Sequence, residues 1–164
     1  MSRLRAAAAA AFAAALVAVL AGCTPTVALD PATHANDPAC ASVTVALPDT
    51  VAGLKQDYTD AQATGAWGDP VAVQLRCGVT PLGPTDKPCV TIASGPDSVD
   101  WVLMNDPESD VLSYITFGRT PAVEVTIKHG KGGVSDANVL PDLAEAVASV
   151  PRSNLKCVAA SDAP

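Results

Sequence analysis

Apolar and polar residues alternate most regularly over 122–128, where the chain reads AVEVTIK. A period of two predicts a strand with one buried face. Four further apolar segments bounded by turn residues also predict strands, over 71–79, 89–93, 99–105 and 112–117. The connections between these segments are short and rich in Pro and Gly. Short connections favour an antiparallel meander, here of about five strands.

A helical period precedes this sheet. Over 39–47, Cys40, Val43 and Leu47 fall on one helical face. Asp37 is placed to cap such a helix, and Pro48 to end it. The Val-Thr-Val sequence at 43–45 allows a strand instead. Residues 51–63 are polar and weakly patterned, so we predict irregular chain or a short helix there.

A second helical period closes the domain. We expect Asn138 to cap this helix and Pro141 to lie in its first turn. Its apolar stripe consists of Leu140, Leu143, Ala144, Val147 and Val150. The predicted fold class is therefore α+β, with an antiparallel sheet of about five strands between an N-terminal and a C-terminal helix.

The first residues have the pattern of an export signal. Arg3 and Arg5 precede an apolar run from Ala6, which closes with the sequence Leu-Ala-Gly before Cys23. This closing sequence resembles a bacterial lipobox, in which the cysteine thiol takes a diacylglyceryl group and becomes the mature N-terminus. We therefore predict a lipoprotein signal peptide over 1–22 and a lipidated, palmitate-bearing Cys23. A transmembrane helix and plain secretion with a free cysteine are the alternatives.

The remaining chain divides into a tether, one domain and a tail. Residues 23–38 are rich in Pro and lack an apolar period, so they read as a flexible tether in which His34 is solvated. The domain is predicted over 39–158, and 159–164 form a loose tail. The protein is accordingly expected at the extracytoplasmic face of the cell membrane.

The other four cysteines fit an exported chain. An even number of cysteines predicts two disulfides, with three possible connectivities. We favour Cys77–Cys89, across a turn-rich loop between two strands, and Cys40–Cys157, from the start of the domain to its end. A zinc site is disfavoured because no C-x-x-C pair occurs.

The acidic net charge and the absence of catalytic motifs argue against several classes of function. The net charge of −7 and the absence of a basic cluster argue against nucleic-acid binding. The chain has no G-x-S-x-G or H-E-x-x-H motif, and the Gly- and Lys-rich turn at 128–133, which includes His129, lacks phosphate-loop spacing. We therefore expect neither catalysis nor a cofactor or metal.

Trp67, Arg76, Trp101 and Arg119 are the remaining candidates for binding. An Arg in or beside a strand needs a carboxylate or carbonyl partner, and Asp69 and Asp100 are candidates. One interpretation is structural: the Arg forms an ion pair that stabilises the sheet, and Trp67 and Trp101 belong to the core. The other is a Trp/Arg recognition patch for an anionic or sugar-containing ligand, or for a partner protein.

Five motifs occur in order along the chain: LP at 47–48, AWGDP at 66–70, LRCGV at 75–79, VDW at 99–101 and FGRTP at 117–121. Together with Cys89 and the terminal helix, they resemble the signature of domain-of-unknown-function family 3515, an actinobacterial family of small exported proteins and lipoproteins. The similarity covers roughly residues 39–158. It implies an actinobacterial envelope protein, and it implies no activity and no catalytic residues. One departure is Ser98, where the family often has Gly before Val-Asp-Trp.

These features predict a lipid-anchored, non-catalytic binding or scaffold module of the cell envelope. Its expected partners are the cell membrane, through the diacylglyceryl anchor, and an unidentified envelope protein or cell-wall component. An envelope enzyme acting on wall or lipid-linked precursors is one alternative, favoured by a cleft that brings His129 together with a Ser and an Asp. A purely structural subunit of an envelope complex is the other.

Overall fold

The structure, a computed structural model, describes residues 26–158. Its main feature is one curled antiparallel sheet of eight strands with two short helices. In chain order, the elements are α1 (Pro38–Val45), β1 (Thr50–Val51), β2 (Leu54–Asp57), β3 (Thr64–Trp67), β4 (Val73–Val79), β5 (Cys89–Ser94), β6 (Asp97–Leu103), β7 (Val111–Phe117), β8 (Ala122–Lys128) and α2 (Asp136–Ala148). Within 26–158, no helix has the length and apolar character needed to cross a bilayer.

The predicted fold class is wrong in its proportions. The domain is mostly sheet, and the sheet has eight strands instead of about five. The five predicted strands are all present as β4 to β8, and each begins and ends within two residues of its predicted bounds. The strands that were not predicted are β1, β2 and β3. β1 and β2 overlap the 51–63 segment that was expected to be irregular or helical, and β3 follows it directly.

The local sequence of these three strands gives no clear strand or hairpin signal. β1 and β2 are joined through Ala52 and Gly53, which both have positive φ angles of 50° and 77°. Two-residue hairpin turns of this kind usually carry Asn-Gly or Asp-Gly, so an alanine there gives no hairpin signal. All four residues of β3 are buried, so β3 shows no alternation of apolar and polar positions. Tertiary packing, and not a local pattern, makes this segment a sheet.

The strand order is β1-β2-β3-β4-β8-β7-β6-β5. Two antiparallel meanders, β1–β4 and β5–β8, therefore meet where β4 pairs with β8. The prediction of a single meander is wrong at one link, because β4 and β5 are not neighbours. Residues 80–88 instead connect β4, in the middle of the sheet, to β5 at its edge.

This order explains the disulfide pairing. Two disulfides are present, as predicted, but they join Cys40 to Cys77 and Cys89 to Cys157. The predicted pairs, Cys77–Cys89 and Cys40–Cys157, are therefore wrong. The first assumed a β4–β5 hairpin that does not form, and the second assumed a link from the start of the domain to its end. Cys77 is buried in the core, where its Cα lies 5.5 Å from that of Cys40 on α1. Cys89 lies on the edge strand, and its Cα is 5.8 Å from that of Cys157.

Both helices form at the predicted places. Asp37 caps α1 by accepting a hydrogen bond of 2.8 Å from the amide of Ala39, as predicted. α2 begins earlier than predicted, after Ser135, so the assignment of Asn138 as its cap is wrong. Pro141 consequently lies inside α2 and not in its first turn.

One face of the sheet and the two helices enclose the core. α2 packs against β1, β5 and β6 and contacts α1. The predicted apolar stripe of α2 is buried, at Leu140, Leu143, Ala144, Val147 and Val150. Burial of a large aliphatic side chain contributes about 1.5–3 kcal/mol, so this stripe holds α2 on the sheet. The hydroxyl of Tyr114 on β7 also donates a hydrogen bond to Asp136 at the start of α2.

Residues 27–37 are not a flexible tether, in contrast to the prediction for 23–38. The amide of Val27 donates to the carbonyl of Tyr58 at 2.8 Å, and the amide of His34 donates to the carbonyl of Gly78 at 2.9 Å. A Cβ at Gly78 would lie 2.4 Å from the carbonyl carbon of His34, so only glycine permits this approach. His34 is thus part of a segment bound to β4. The predicted signal peptide, Cys23 and the tail at 159–164 lie outside the described residues.

Candidate functional site

The four predicted binding residues do not form one exposed patch. Trp67 and Trp101 are fully buried, and Arg119 is 2% exposed. The indole nitrogen of Trp67 donates to the carbonyl of Pro48 at 3.0 Å, whereas that of Trp101 has no partner within the described residues. A ligand outside the folded domain cannot reach these side chains. Only Arg76 lies partly at the surface.

Arg119 binds carbonyl groups in the interior. It donates to the carbonyls of Ala148, at 2.9 Å, and Val150 near the end of α2, and to that of Ser98 on β6 at 2.8 Å. Burial lowers the pKa of Arg119, and the nearby Arg152 lowers it further. The predicted partner Asp100 instead accepts hydrogen bonds from Thr91 and from the amide of Cys157. Arg119 is therefore a structural cation that joins the β7–β8 turn to α2 and β6.

Arg76 forms an ion pair across two strands. Its guanidinium contacts Glu124, which faces it on the neighbouring strand β8. Glu124 also accepts a hydrogen bond of 3.0 Å from the hydroxyl of Ser113 on β7. Arg76 is thus part of a satisfied polar network, which agrees with the structural interpretation. Asp69, the other predicted partner, is not involved in this network.

A cleft of about 380 Å³ opens at one end of strands β4, β7 and β8. We call it the lysine cleft, and its lining residues are Val71, Ala72, Gln74, Asp110, Val111, Thr126, Lys128, His129 and Lys131. Valine and alanine side chains make part of its wall apolar, while an amide, a hydroxyl and two ammonium groups supply polar contacts. Such a mixture is typical of a small-molecule site.

Backbone hydrogen bonds hold the lysine cleft in shape. The amide of Lys128 donates to the carbonyl of Ala72 at 2.7 Å, and the amide of His129 donates to the carbonyl of Asp110 at 2.6 Å. The loop then closes through the amide of Val134, which donates to Lys128 at 3.0 Å. A Cβ at Gly133 would lie 2.2 Å from the carbonyl oxygen of Lys128. The Gly-rich sequence thus permits a tight loop that presents Lys128, His129 and Lys131.

The charges of the lysine cleft favour an anion. Lys128 and Lys131 are exposed, and neither ammonium makes an ion pair or a hydrogen bond within residues 26–158. Asp110 is the single carboxylate in the lining. His129 adds an imidazole whose Nδ1 is buried and has no partner among the described residues. The lining therefore has an excess of positive charge on a chain with a net charge of −7.

A second cleft has the opposite balance. The Tyr58 cleft, of about 520 Å³, is lined by Asp49, Thr50, Lys55, Gln56, Asp57, Tyr58, Thr59 and Thr64. Its two carboxylates outnumber its one ammonium group, so it does not attract anions. No group of three or more His, Cys, Asp or Glu side chains between 26 and 158 could hold a metal ion.

Sequence reasoning missed the lysine cleft. It compared the 128–133 turn with the phosphate-loop pattern and considered His129 for catalysis, but it did not select Gln74, Lys128 or Lys131. No local signal indicates that residues 71–74 and 110–111 lie beside this turn. The cleft depends on the pairing of β8 with both β4 and β7, which are distant in sequence.

Comparison with known proteins identifies a family whose function is unknown. The family model for DUF3515, described as a protein of unknown function, matches residues 4–155. The predicted resemblance is thereby confirmed, and the match begins well before residue 39. No curated protein and no solved structure matches the chain.

Proposed function

This chain belongs to the DUF3515 family, whose function is unknown, and we propose that it is a lipid-anchored, non-catalytic binding module of the cell envelope. The anchor is Cys23, at the extracytoplasmic face of the cell membrane, and the binding site is the lysine cleft. The observation that carries this proposal is a preformed cleft with uncompensated cations on a disulfide-linked domain.

Two lines of support concern the compartment. Disulfides form and persist outside the reducing cytosol, and all four cysteines of the described residues are disulfide-bonded. The sequence Leu-Ala-Gly before Cys23, after a positively charged and apolar leader, is the pattern of a lipidation site. Both lines agree with export followed by anchoring.

The lysine cleft favours binding over catalysis. A catalytic His needs a nucleophile beside it and a carboxylate that holds its other ring nitrogen. Besides His129 and Asp110, the lining has the hydroxyl of Thr126 but no Ser or Cys. Nδ1 of His129 has no partner in the described part of the chain, so no carboxylate holds this ring nitrogen. The Ser-His-Asp cleft that would favour an envelope enzyme is therefore not formed around His129 in the described residues.

One experiment tests the anchor. The parent protein and the variants Cys23→Ser and Thr24→Ala would be expressed in a host with lipoprotein-processing enzymes, and the membranes washed with alkaline carbonate. We expect the parent and Thr24→Ala to stay in the membrane and to yield an N-terminal peptide with a diacylglyceryl group. Cys23→Ser should not yield this peptide. An unmodified parent peptide would refute the anchor.

A second experiment tests the lysine cleft as the binding site. A photo-cross-linking amino acid would replace Val111, which lines the lysine cleft and is 44% exposed. The matched control places it at Tyr58, which lines the other cleft and is 72% exposed. We expect a cross-linked species in cells from position 111 that is absent from position 58. Equal yields at both positions, or none at either, would contradict the proposal.

A further inference from the structure

We infer that the ligand of the lysine cleft is an amphipathic molecule with a phosphate group, bound by Lys128 and Lys131 with its apolar part against Val71, Ala72 and Val111. This inference rests on the proposed binding function and names the chemical class of the ligand. The apolar wall and the two ammonium groups belong to one cleft. Neither feature alone selects this class, but their combination does.

The charge argument comes from comparing the two clefts. Lys55 in the Tyr58 cleft lies with the carboxylates of Asp49 and Asp57, whereas Lys128 and Lys131 share their cleft with Asp110 alone. An anion entering the lysine cleft therefore meets net attraction, and one entering the Tyr58 cleft meets net repulsion. On an acidic chain, this difference concentrates anionic ligands at one place.

The hydrogen-bonding groups fit a phosphate. An ammonium group offers three donors, and Gln74 and Thr126 provide further donors in the same lining. Gln74 and Thr126 face each other on the paired strands β4 and β8, so the sheet holds their separation constant. A phosphate has enough acceptor oxygens to receive several of these donors together.

The position of the lysine cleft limits the source of the ligand to the membrane surface or the fluid near it. Val71 lines both this cleft and a smaller groove that includes Thr26 and Val27. The five residues from Cys23 to Val27 are joined by four Cα–Cα steps, which span at most about 14 Å. On a protein anchored through Cys23, the lysine cleft therefore stays near the lipid headgroups. A phospholipid headgroup and a soluble phosphate compound both satisfy this geometry.

The first test measures binding of soluble phosphates to the whole mature protein in a zwitterionic detergent. Methyl phosphate and n-butyl phosphate would be titrated by calorimetry and by NMR of the 128–133 amides. The longer chain adds three methylene groups for the apolar wall, so we expect roughly tenfold tighter binding of n-butyl phosphate, given incomplete burial. Equal affinities would overturn the role of the apolar wall.

Variants assign the binding to the lysine cleft. We expect Lys128→Gln and Lys131→Gln each to weaken n-butyl phosphate binding by about threefold to fivefold. Asp110→Asn should tighten binding by a similar factor, because it removes the single carboxylate. Lys55→Gln, in the Tyr58 cleft, is the matched control and should leave the affinity unchanged. Parent-like affinity of both Lys128→Gln and Lys131→Gln, or an equal loss in Lys55→Gln, would overturn the inference.

A vesicle experiment distinguishes the two sources. Phosphatidylcholine vesicles with and without phosphatidylglycerol would be added to protein that carries Cys23→Ser and is produced without residues 1–22, so that neither a diacylglyceryl group nor the apolar leader enters the vesicle. A shift of the 128–133 amides only with phosphatidylglycerol identifies a headgroup, and a shift only with n-butyl phosphate identifies a soluble ligand. If neither phosphatidylglycerol nor n-butyl phosphate shifted these amides, the inference would be overturned. The proposed anchored module would still stand if the Cys23 and Val111 experiments succeeded.

Discussion

Positively charged side chains have opposite surroundings at the two ends of the β7–β8 hairpin. At the turn end, Arg119 is buried and donates to three backbone carbonyls. At the open end, Lys128 and Lys131 line a cleft and have no side-chain partner in the described residues. A buried cation must be satisfied by hydrogen bonds and therefore stabilises the fold, whereas exposed lysines contribute little to stability and can receive a ligand.

The largest expected effect concerns the turn end, where the Cys89–Cys157 disulfide holds the C-terminal segment. The segment also donates from the amide of Ser153 to the carbonyl of Gly118 at 2.8 Å. The disulfide spans 68 residues, so replacing both cysteines by Ser should lower the free energy of unfolding by about 4 kcal/mol. Urea denaturation measures this loss.

The matched control for that change is the double variant at Cys40 and Cys77, whose disulfide spans 37 residues. The similar loop length predicts a similar loss of about 4 kcal/mol. Only the Cys89/Cys157 variant should also expose the 151–158 segment to proteolysis. Equal protection of this segment in both variants would show that the disulfide does not hold it.

The next effect in size concerns Arg119 itself. Arg119→Met keeps much of the side-chain volume but leaves three carbonyls without their donor. We expect a loss of about 3 kcal/mol in the free energy of unfolding, because unsatisfied buried polar groups are costly. Arg76→Met, which breaks a partly exposed cross-strand ion pair, is the control and should cost about 1 kcal/mol. A smaller loss of unfolding free energy for Arg119→Met than for Arg76→Met would contradict the structural role of Arg119.

A smaller effect depends on pH and involves the link between β7 and α2. Burial and the hydrogen bond with Asp136 raise the pKa of Tyr114 above its ordinary value of 10.0. The folded state therefore holds the phenol proton more tightly than the unfolded state does. The resulting stabilisation is complete below about pH 10 and is lost as the pH rises through the folded pKa.

Tyr114→Phe checks this pH dependence. Above about pH 10, the parent should lose up to about 1.4 kcal/mol per pH unit more than this variant. Tyr58→Phe, at an exposed position, controls for the general loss of a phenol. Denaturation midpoints between about pH 9 and 11 provide the measurement. Parallel curves for the parent and Tyr114→Phe would contradict the assignment.

The smallest effect concerns the open end. Lys128→Gln and Lys131→Gln should change the free energy of unfolding by less than about 0.5 kcal/mol, because exposed charges without partners contribute little. Thermal unfolding of the two variants beside the parent measures this difference. If these substitutions cost as much as Arg119→Met, the lysines would be part of the framework and not of a free site.

The sequence by itself determined the strands with a strong local pattern. β8 alternates over 122–128 and was predicted at its observed bounds, and β4, β5, β6 and β7 were found between Pro- and Gly-rich turns. Asp37 also defined the start of α1 from local chemistry alone. The family followed from ordered motifs and was confirmed by the match over 4–155. These features depend on residues that are close along the chain.

Tertiary structure decided the features that depend on residues distant in sequence. The pairing of β4 with β8 determined which cysteines meet and brought residues near 71, 110 and 128 into one cleft. Trp67, Trp101 and Arg119 were candidates for ligand contacts, but all three are buried and stabilise the fold. The physical reason is that local patterns state which face of a strand is apolar, while the strand order is set by the packing of the whole sheet.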